Sequence, residues 1–235
     1  MDVRVGCSGY FYRHWRGRFY PAELPTSQWF AFYAQHFRTL ELNASFYRFP
    51  RPESVQRWLR QAPKGFSYAI KAPRLITHRQ RLDGSDHHLA ELVQVLAPLG
   101  DSLEAVLFQM PPSFHCSPEH LGRVLASLKT VPRAVVEFRH PSWWQESIVD
   151  SLDEAGLVFC SVHAPGLPDE LVPCQGRIYL RMHGVPRYRQ DYDERELGRW
   201  AERIRQAGAS WVRAYFNNDA DAAAPRNAQL LGAML

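Results

Sequence analysis

One segment, 135–144, constrains the fold more than any other stretch of the chain. It begins with a β-branched, apolar run and then presents Glu137 and Arg139. Ser142, with Gln145 three positions later, matches the capping-box pattern and predicts that a helix begins there. A strand that ends in charged side chains and turns directly into a helix is the repeating unit of a (β/α) barrel, whose active sites lie at the carboxyl ends of the strands.

The same strand-then-helix unit recurs along the chain. The predicted strands are 3–8, 39–43, 66–71, 103–109, 135–139, 157–163, 178–183 and 211–216. Helix starts are predicted at Thr26 or Ser27, Pro52, Ser85, Ser117, Ser142, Asp193 (a capping box with Glu196) and Pro225, and 165–174 is too irregular to assign. The predicted fold class is therefore α/β, a TIM-like (β/α)8 barrel. An open doubly wound sheet is the alternative, but Gly6-Cys7-Ser8-Gly9 is not the glycine-rich fingerprint such sheets carry.

Length and composition indicate one domain, 1–235. Of the 235 residues 46% are hydrophobic and 22% charged, and no Gly/Ser-rich linker or charge-biased block divides them. No apolar run has the length of a membrane span, so we expect a cytoplasmic protein without membrane association. The four cysteines lack CxxC spacing and are expected to be reduced thiols. A net charge of +4 permits an anionic ligand but does not establish nucleic-acid binding.

Side chains of two different characters alternate along the predicted strands. One set is apolar and is predicted to face the helices: Leu40, Leu42, Tyr68, Ile70, Val136, Phe138, Cys160, Val162, Leu180, Met182, Ala214 and Phe216. The other set is rich in charged and polar groups: Glu41, Asn43, Lys71, Gln109, Glu137, Arg139, Ser161, His163, Arg181, His183, Arg213, Tyr215 and Asn217. Because successive side chains point to opposite faces of a strand, this second set is predicted to fill the barrel lumen.

Charged groups in a lumen must be paired, because an isolated buried ion is costly. Glu41 and Glu137 are therefore expected to pair with some of the cations, which are Lys71, Arg139, Arg181 and Arg213. Four cations against two carboxylates predict surplus positive charge in the upper lumen. A fully paired network that only fills the barrel is the alternative, although apolar filling would generally be as stable.

Motifs spread over nearly the whole chain carry a family resemblance. They are Gly6-Cys7-Ser8-Gly9-Tyr10, Trp15-Arg16-Gly17-Arg18-Phe19-Tyr20-Pro21, Glu41-Leu42-Asn43-Ala44-Ser45-Phe46-Tyr47-Arg48, Lys71-Ala72-Pro73-Arg74 with Thr77-His78, Gln109-Met110-Pro111-Pro112-Ser113-Phe114, Glu137-Phe138-Arg139-His140-Pro141-Ser142-Trp143, Arg181-Met182-His183-Gly184 and Tyr215-Phe216-Asn217-Asn218-Asp219. In these motifs the chain resembles the YecE-like family, domain of unknown function 72. The resemblance implies a TIM-barrel-like fold and supplies no reaction. Cys7 and Ser45 are small departures from the residues common in the family.

The candidate site residues lie where the polar strand positions reach the barrel mouth. Glu137, His183 and Glu41 are the catalytic candidates, since neighbouring charges can tune a carboxylate or an imidazole for acid–base work. The substrate-binding candidates are Lys71, Arg139, Arg181, Asn43, Gln109, Tyr215, Asn217, Asn218, His140 and Trp15. The arginine fork grips phosphate or carboxylate oxygens in pairs, and lysine adds a point charge. The aromatic loop 10–15 could wall a pocket or simply pack the top of the barrel.

No cofactor is expected. A divalent metal held by some of Glu41, Glu137, His163, His183 and Asp219 is the alternative, but HxH and HExxH spacings are absent and the nearby cations would oppose it. Cys7 shares the parity of Val5, which favours a structural thiol over a nucleophile. A Walker-type phosphate loop is absent as well.

These features predict an enzyme that acts on a small anionic substrate, phosphorylated or nucleotide-like, at the carboxyl-terminal mouth of the barrel. Phosphoester hydrolysis is the expected reaction, and phosphate or a phosphorylated metabolite is the expected ligand. One alternative is a nucleic-acid-binding protein or an endonuclease-IV-like nuclease that also uses the basic residues of segment 13–18. Another is a non-catalytic sensor of the same anion. The sequence does not fix the substrate, the reaction or the oligomeric state.

Overall fold

Eight parallel strands alternate with helices in the computed structural model, which describes residues 1–235. The strands are β1 Asp2–Cys7, β2 Thr39–Leu42, β3 Ser67–Lys71, β4 Leu103–Gln109, β5 Ala134–Glu137, β6 Val158–His163, β7 Arg177–Met182 and β8 Trp211–Phe216. The helices are α1 Trp29–His36, α2 Ala44–Tyr47, α3 Pro52–Gln61, α4 Asp86–Leu96, α5 Pro118–Leu128, α6 Glu146–Glu154, α7 Glu194–Gln206 and α8 Ala223–Met234. The predicted TIM-like (β/α)8 barrel is confirmed.

The barrel is closed at its seam by a close approach of β1 and β2. The strands follow one another in the order β1-β8-β7-β6-β5-β4-β3-β2, and a single parallel bridge, from Ser8 to Glu41, joins the two ends of the sheet. Gly6 makes this approach possible, because a Cβ there would lie 2.5 Å from the carbonyl oxygen of Thr39. The seam brings Ser8 beside the carboxylate of Glu41, which the sequence predicts to lie in the lumen.

Three predicted helix starts are confirmed in detail. The Asp193 carboxylate accepts from the backbone N–H of Glu196, whose side chain accepts from the N–H of Asp193, so the capping box of α7 is complete. The Ser117 hydroxyl caps α5 by accepting from the N–H of His120. Pro52 stands in the first turn of α3, where its missing N–H has no helical partner to lose.

The predicted capping box at Ser142 and Gln145 is wrong. A 3-10 turn, Pro141–Trp143, follows β5, and α6 begins only at Glu146. The N–H of Ser142 donates to His140 Nδ1, and the Ser142 hydroxyl accepts from the N–H of Cys116. The turn lets the Trp143 ring stack on Phe138 with centroids 3.9 Å apart, so aromatic packing overrides the local capping signal.

Other predicted boundaries differ by a few residues. A 3-10 turn, Thr26–Gln28, precedes α1, and neither Thr26 nor Ser27 caps that helix. Helix α8 begins at Ala223, two residues before Pro225. The short helix α2 was not predicted, although it lies directly beside the barrel mouth.

The predicted orientation of β6 is also wrong. Cys160 and Val162 belong to the apolar cluster inside the barrel, together with Ala105, Leu107, Tyr179 and Tyr215. Ser161 and His163 point outward instead. The Ser161 hydroxyl accepts from the N–H of Val172, and His163 Nδ1 contacts the Tyr192 hydroxyl. The pattern Cys-Ser-Val-His alternates clearly, but alternation alone does not say which parity faces the lumen; Val172 and Tyr192 bind the polar side chains outside, so the apolar ones fill the barrel.

No helix of the chain is both long enough and apolar enough to span a bilayer.

Candidate active site at the barrel mouth

Six charged or titratable side chains from four strands converge at the carboxyl-terminal mouth. Glu41 lies in β2, Lys71 ends β3, Glu137 ends β5 with Arg139 two residues beyond, and β7 supplies Arg181 with His183 just after it. Glu41, Glu137, Arg181 and His183 are fully buried at 0% exposure, whereas Lys71 is partly accessible and the Arg139 side chain is 7% exposed. The parity of these strands places the groups inside the lumen, as expected from the sequence.

The Arg181 guanidinium occupies the centre of this cluster. Its Nε donates to both carboxylate oxygens of Glu41 at 3.1 Å, and its Nη2 donates to Glu41 Oε1 at 2.7 Å. Its Nη1 forms an ion pair with Glu137 and also approaches His183 Nε2 at 3.3 Å. All three nitrogens of the guanidinium are therefore engaged, and a ligand could bind Arg181 directly only by displacing a carboxylate.

Neutral donors complete the shell of Glu41. The Ser8 hydroxyl donates to Oε1 and the Tyr179 hydroxyl donates to Oε2, each at 2.6 Å. Ser8 lies at the seam and Tyr179 points inward from β7, where it shares the parity of Arg181. Neither residue was among the predicted site residues, although their lumen parity was a usable signal.

Glu137 is held in the ionised form. Gln109 Nε2 donates to its Oε1 at 2.8 Å, and Arg139 and Arg181 both form ion pairs with it. Burial alone would raise the pKa of Glu137, but the Arg139 and Arg181 charges outweigh it and hold the pKa well below its usual range. Glu137 can therefore serve as a fixed negative charge, not as a resting proton donor.

His183 is held in the neutral form with a defined tautomer. Its Nε2 faces Arg139 Nη2 at 2.9 Å as well as Arg181, and guanidinium groups can only donate. Nε2 must therefore accept, which leaves the proton on Nδ1, 3.1 Å from the side-chain amide of Asn217. Because Nδ1–H donates, we assign the amide oxygen of Asn217 to this contact. Burial, reinforced by both arginines, lowers the pKa of His183 well below its ordinary value.

Lys71 is the one cation of the cluster without a partner. No carboxylate lies within ion-pairing distance of its Nζ, which sits 4.2 Å from the centre of the Phe46 ring of α2. Burial, assisted by the charge of Arg181, lowers the pKa of Lys71 to about 7. The Ser45 hydroxyl fixes the end of β3 by donating to the Lys71 carbonyl at 2.6 Å.

The surplus of positive charge at the mouth is smaller than predicted. Arg213 points into the lumen but lies at the opposite, amino-terminal end, where it pairs with Asp2 and Glu104. The inclusion of Arg213 in the upper lumen was wrong, because parity fixes the face of a strand but not the depth. Lys71, Arg139 and Arg181 against Glu41 and Glu137 leave one positive charge at the mouth.

The remaining binding candidates fall into two groups. Asn43, Gln109 and Asn217 line the mouth, and Asn43 Oδ1 is buried there without a hydrogen-bond partner. The others have structural partners: Tyr215 OH contacts Thr39, Trp15 Nε1 donates to Asp219, Asn218 donates to Asn227, and His140 stacks on His115. Trp15, Tyr215 and Asn218 are fully buried, so they would support a ligand site from behind.

The donors considered for a metal do not assemble into a site. No group of three or more His, Cys, Asp and Glu side chains is arranged to hold a metal ion. His163 lies outside the barrel, and Asp219 contacts His14 and Trp15 instead of the mouth carboxylates.

A groove of about 590 Å³ lies directly beside the mouth. It runs between the loop after β1, which contributes Tyr10 and Phe11, and the segment of α2 and α3. The exposed side chains of Arg48, Arg51 and Arg57 line it, and none of the three makes an ion pair. Sequence reasoning missed this arginine group, which α2 and α3 bring together.

Fold and site together define a (β/α)8-barrel protein with a buried ionic cluster at the face where barrel enzymes carry their active sites. A family model described as "Protein of unknown function DUF72" matches residues 4–235. The chain belongs to this family, and the resemblance seen in its motifs is confirmed.

Known relatives agree with this assignment. The UPF0759 protein YunF of Bacillus subtilis (strain 168) is 24% identical over 88% of this chain and 86% of its own length. The UPF0759 protein YecE of Escherichia coli (strain K12) is 30% identical over 53% of this chain and 46% of its own. A crystal structure of a DUF72 family protein from Thermotoga maritima MSB8 has a TM-score of 0.90 and 28% identity, covering 100% of this chain and 99% of that one.

Proposed function

We propose that this protein is an enzyme that acts on a small anionic substrate, phosphorylated or nucleotide-like, at the carboxyl-terminal mouth of the barrel. The observation that supports this most is the unpaired Lys71, which leaves one positive charge uncompensated in a largely buried cluster. A buried charge without a partner is costly, so it is retained where a ligand supplies the partner.

The substrate would bind through the two cations of the cluster that are not fully buried. Lys71 and Arg139 reach the mouth, and Asn43 and Gln109 lie beside them. Arg181 would act indirectly, because its donors hold Glu41 and Glu137 in place. An anion that engages Arg139 would also release His183 Nε2 from one of its two donors. Nε2 could then accept a hydrogen bond from a water and orient it for attack on a phosphoester.

The binding step is tested by titrating the protein with inorganic phosphate in a calorimeter. Charge-assisted hydrogen bonds contribute about 1.5–3 kcal/mol each, so Lys71→Met should weaken phosphate binding roughly 10- to 150-fold. Lys64→Met is the matched control, because Lys64 is exposed and lies in the loop before β3. Equal affinities in the folded parent and Lys71→Met would contradict the proposal. Arg181→Ala is less suitable, since it leaves two buried carboxylates without their main partner.

Turnover separates an enzyme from a sensor of the same anion. The protein should release phosphate from a simple aryl phosphate, and Lys71→Met should lose this activity. Phosphate binding without any release from a panel of phosphoesters would favour the sensor.

A nucleic-acid-binding function is the second candidate, and the groove beside the mouth favours it. Arg48, Arg51 and Arg57 are exposed and unpaired, and the neighbouring Phe11 ring is 56% exposed, which suits a phosphate backbone and stacked bases. The affinity for single-stranded DNA would then fall steeply with salt, and each arginine replaced by alanine should reduce the slope of log affinity against log salt by about 1. An affinity that does not depend on salt would exclude this candidate.

A further inference from the structure

We infer that the Lys71 amine is a nucleophile that forms an imine with the carbonyl group of an anionic aldehyde or ketone bound at the mouth. This inference rests on the proposed function for the site and the anionic character of the substrate, and it adds the substrate's chemical class. Lys71 then has a covalent role beyond that of a charge at the rim.

The Lys71 amine has no polar partner and is still partly accessible to a ligand at the mouth. Lys71 is the last residue of β3, and its side chain is partly accessible at the mouth. Nζ makes no hydrogen bond or ion pair and contacts the face of the Phe46 ring at 4.2 Å, so its lone pair is not used by a donor. On one side Ser45 holds the Lys71 carbonyl, and on the other the N–H of Ala72 donates to Leu107, which fixes the point from which the side chain extends.

Burial, assisted by Arg181 and Arg139 and opposed by Glu137 and Glu41, favours the unprotonated amine. The groups that act on Lys71 come from β2, β5, β7 and the loop after β3: Glu41, His78, Glu137, Arg139, Arg181 and His183. Burial lowers the pKa of Lys71 to about 7, so about half of the amine is uncharged at neutral pH. Burial also keeps His78 neutral by lowering its pKa to about 4.

The covalent step balances with water as its only by-product. The lone pair of neutral Nζ attacks the carbonyl carbon, and the carbonyl oxygen takes up a proton to give a carbinolamine. The amine nitrogen gives up its protons, the hydroxyl leaves as water, and a carbon–nitrogen double bond forms. Lysines whose pKa is lowered by burial and nearby cations carry out this chemistry in other proteins.

The sequence makes the test direct, because the chain holds only three lysines, Lys64, Lys71 and Lys129. The folded protein is incubated with glyceraldehyde 3-phosphate, treated with sodium borohydride to reduce any imine, digested, and mapped by mass spectrometry. Lys64 and Lys129 are exposed and serve as internal controls in the same sample. Unphosphorylated glyceraldehyde is the matched probe for the anionic requirement.

We expect Lys71 to be labelled at least about tenfold faster than Lys64 or Lys129, with a rate that rises as pH increases through 7. Inorganic phosphate should protect Lys71, and Lys71→Met should lose the fast-labelled site. Labelling of Lys71 no faster than the two exposed lysines, in protein that binds phosphate, would overturn the imine and leave the anion site standing. Equal labelling by glyceraldehyde would overturn the anionic requirement. If the parent fails to bind phosphate, the proposed function itself is wrong.

Discussion

At the scale of single residues, the mouth depends on one guanidinium shared by two carboxylates. Arg181 is fully buried and pairs with both Glu41 and Glu137, which are themselves fully buried. Each carboxylate also accepts a hydrogen bond from at least one neutral side chain, so all four carboxylate oxygens have partners. Among the cations of the cluster, only Lys71 has no ion-pair partner.

Arg181→Met should be strongly destabilising. Removal of one partner from a buried ion pair typically costs about 3–5 kcal/mol, because the other charge stays buried. Urea denaturation followed by circular dichroism measures this loss. Arg205→Met is the control, since Arg205 pairs with Glu202 at the surface and should contribute less than about 1 kcal/mol. Similar losses in the two variants would mean that the cluster does not stabilise the barrel.

Lys71→Met should stabilise the protein at neutral and acidic pH. The folded state lowers the pKa of Lys71 to about 7, whereas an unfolded lysine titrates near about 10.4. Between these pH values the unfolded state binds more protons than the folded state, so the parent gains stability as pH rises from 7 towards 10. Below pH 7 the parent bears the full free-energy cost of burying the charged Lys71.

We therefore expect the free energy of unfolding of Lys71→Met to exceed that of the parent by about 3–5 kcal/mol at pH 6, an advantage that is lost by about pH 10. Denaturant melts of both proteins across this pH range measure the difference, and Lys64→Met should follow the parent throughout. A constant difference between parent and Lys71→Met would show that Lys71 keeps an ordinary pKa.

At the scale of secondary-structure elements, the seam between β1 and β2 is where closure of the barrel is most sensitive. Only the Ser8–Glu41 bridge pairs the two strands, and a Cβ at Gly6 would lie 2.5 Å from the Thr39 carbonyl oxygen. The seam also delivers Ser8 to Glu41, so it couples barrel closure to the geometry of the mouth.

Gly6→Ala should destabilise the barrel by about 1–3 kcal/mol, because the added methyl group would overlap the Thr39 carbonyl and crowd the Tyr33 hydroxyl. Gly122→Ala is the control: Gly122 lies in α5 with open space around its Cβ position, and alanine there should stabilise by up to about 1 kcal/mol. Thermal melts give both values. Equal effects of the two substitutions would mean that the seam tolerates a side chain.

At the scale of the whole molecule, the two ends of the lumen differ in charge balance. At the amino-terminal end Arg213 pairs with Asp2 and Glu104, while the mouth keeps one unpaired cation. The imbalance therefore occurs at the carboxyl-terminal face, which is where barrel enzymes carry their active sites.

This charge balance predicts that the isolated protein carries no stoichiometric transition metal. Lys71, Arg139 and Arg181 surround the mouth carboxylates and would repel a dication. Elemental analysis of protein prepared without chelator or affinity tag checks this. About one zinc or manganese ion per chain would contradict the prediction and favour a metallohydrolase, for which our ligand assignment would need revision.

The sequence by itself determined the local order of the barrel. The succession of strands and helices, the capping box of α7 and the inward parity of β2, β3, β5 and β7 were predicted, because they depend on neighbouring residues and a period of two. The same parity placed Glu41, Lys71, Glu137 and Arg181 among the groups of the mouth. In β6 the prediction of the inward face was wrong, because Ser161 and His163 bind partners outside the barrel.

Only the tertiary structure decided how these groups are paired. Strands β7 and β8 pair in register from their first residues, so Arg213, the third residue of β8, lies two residues deeper than Arg181, the fifth residue of β7, and there it reaches the carboxylates of Asp2 and Glu104. Partner choice depends on distances across the barrel, so one guanidinium takes both carboxylates and Lys71 is left unpaired. Local sequence does not contain these distances, because they arise only when the sheet closes.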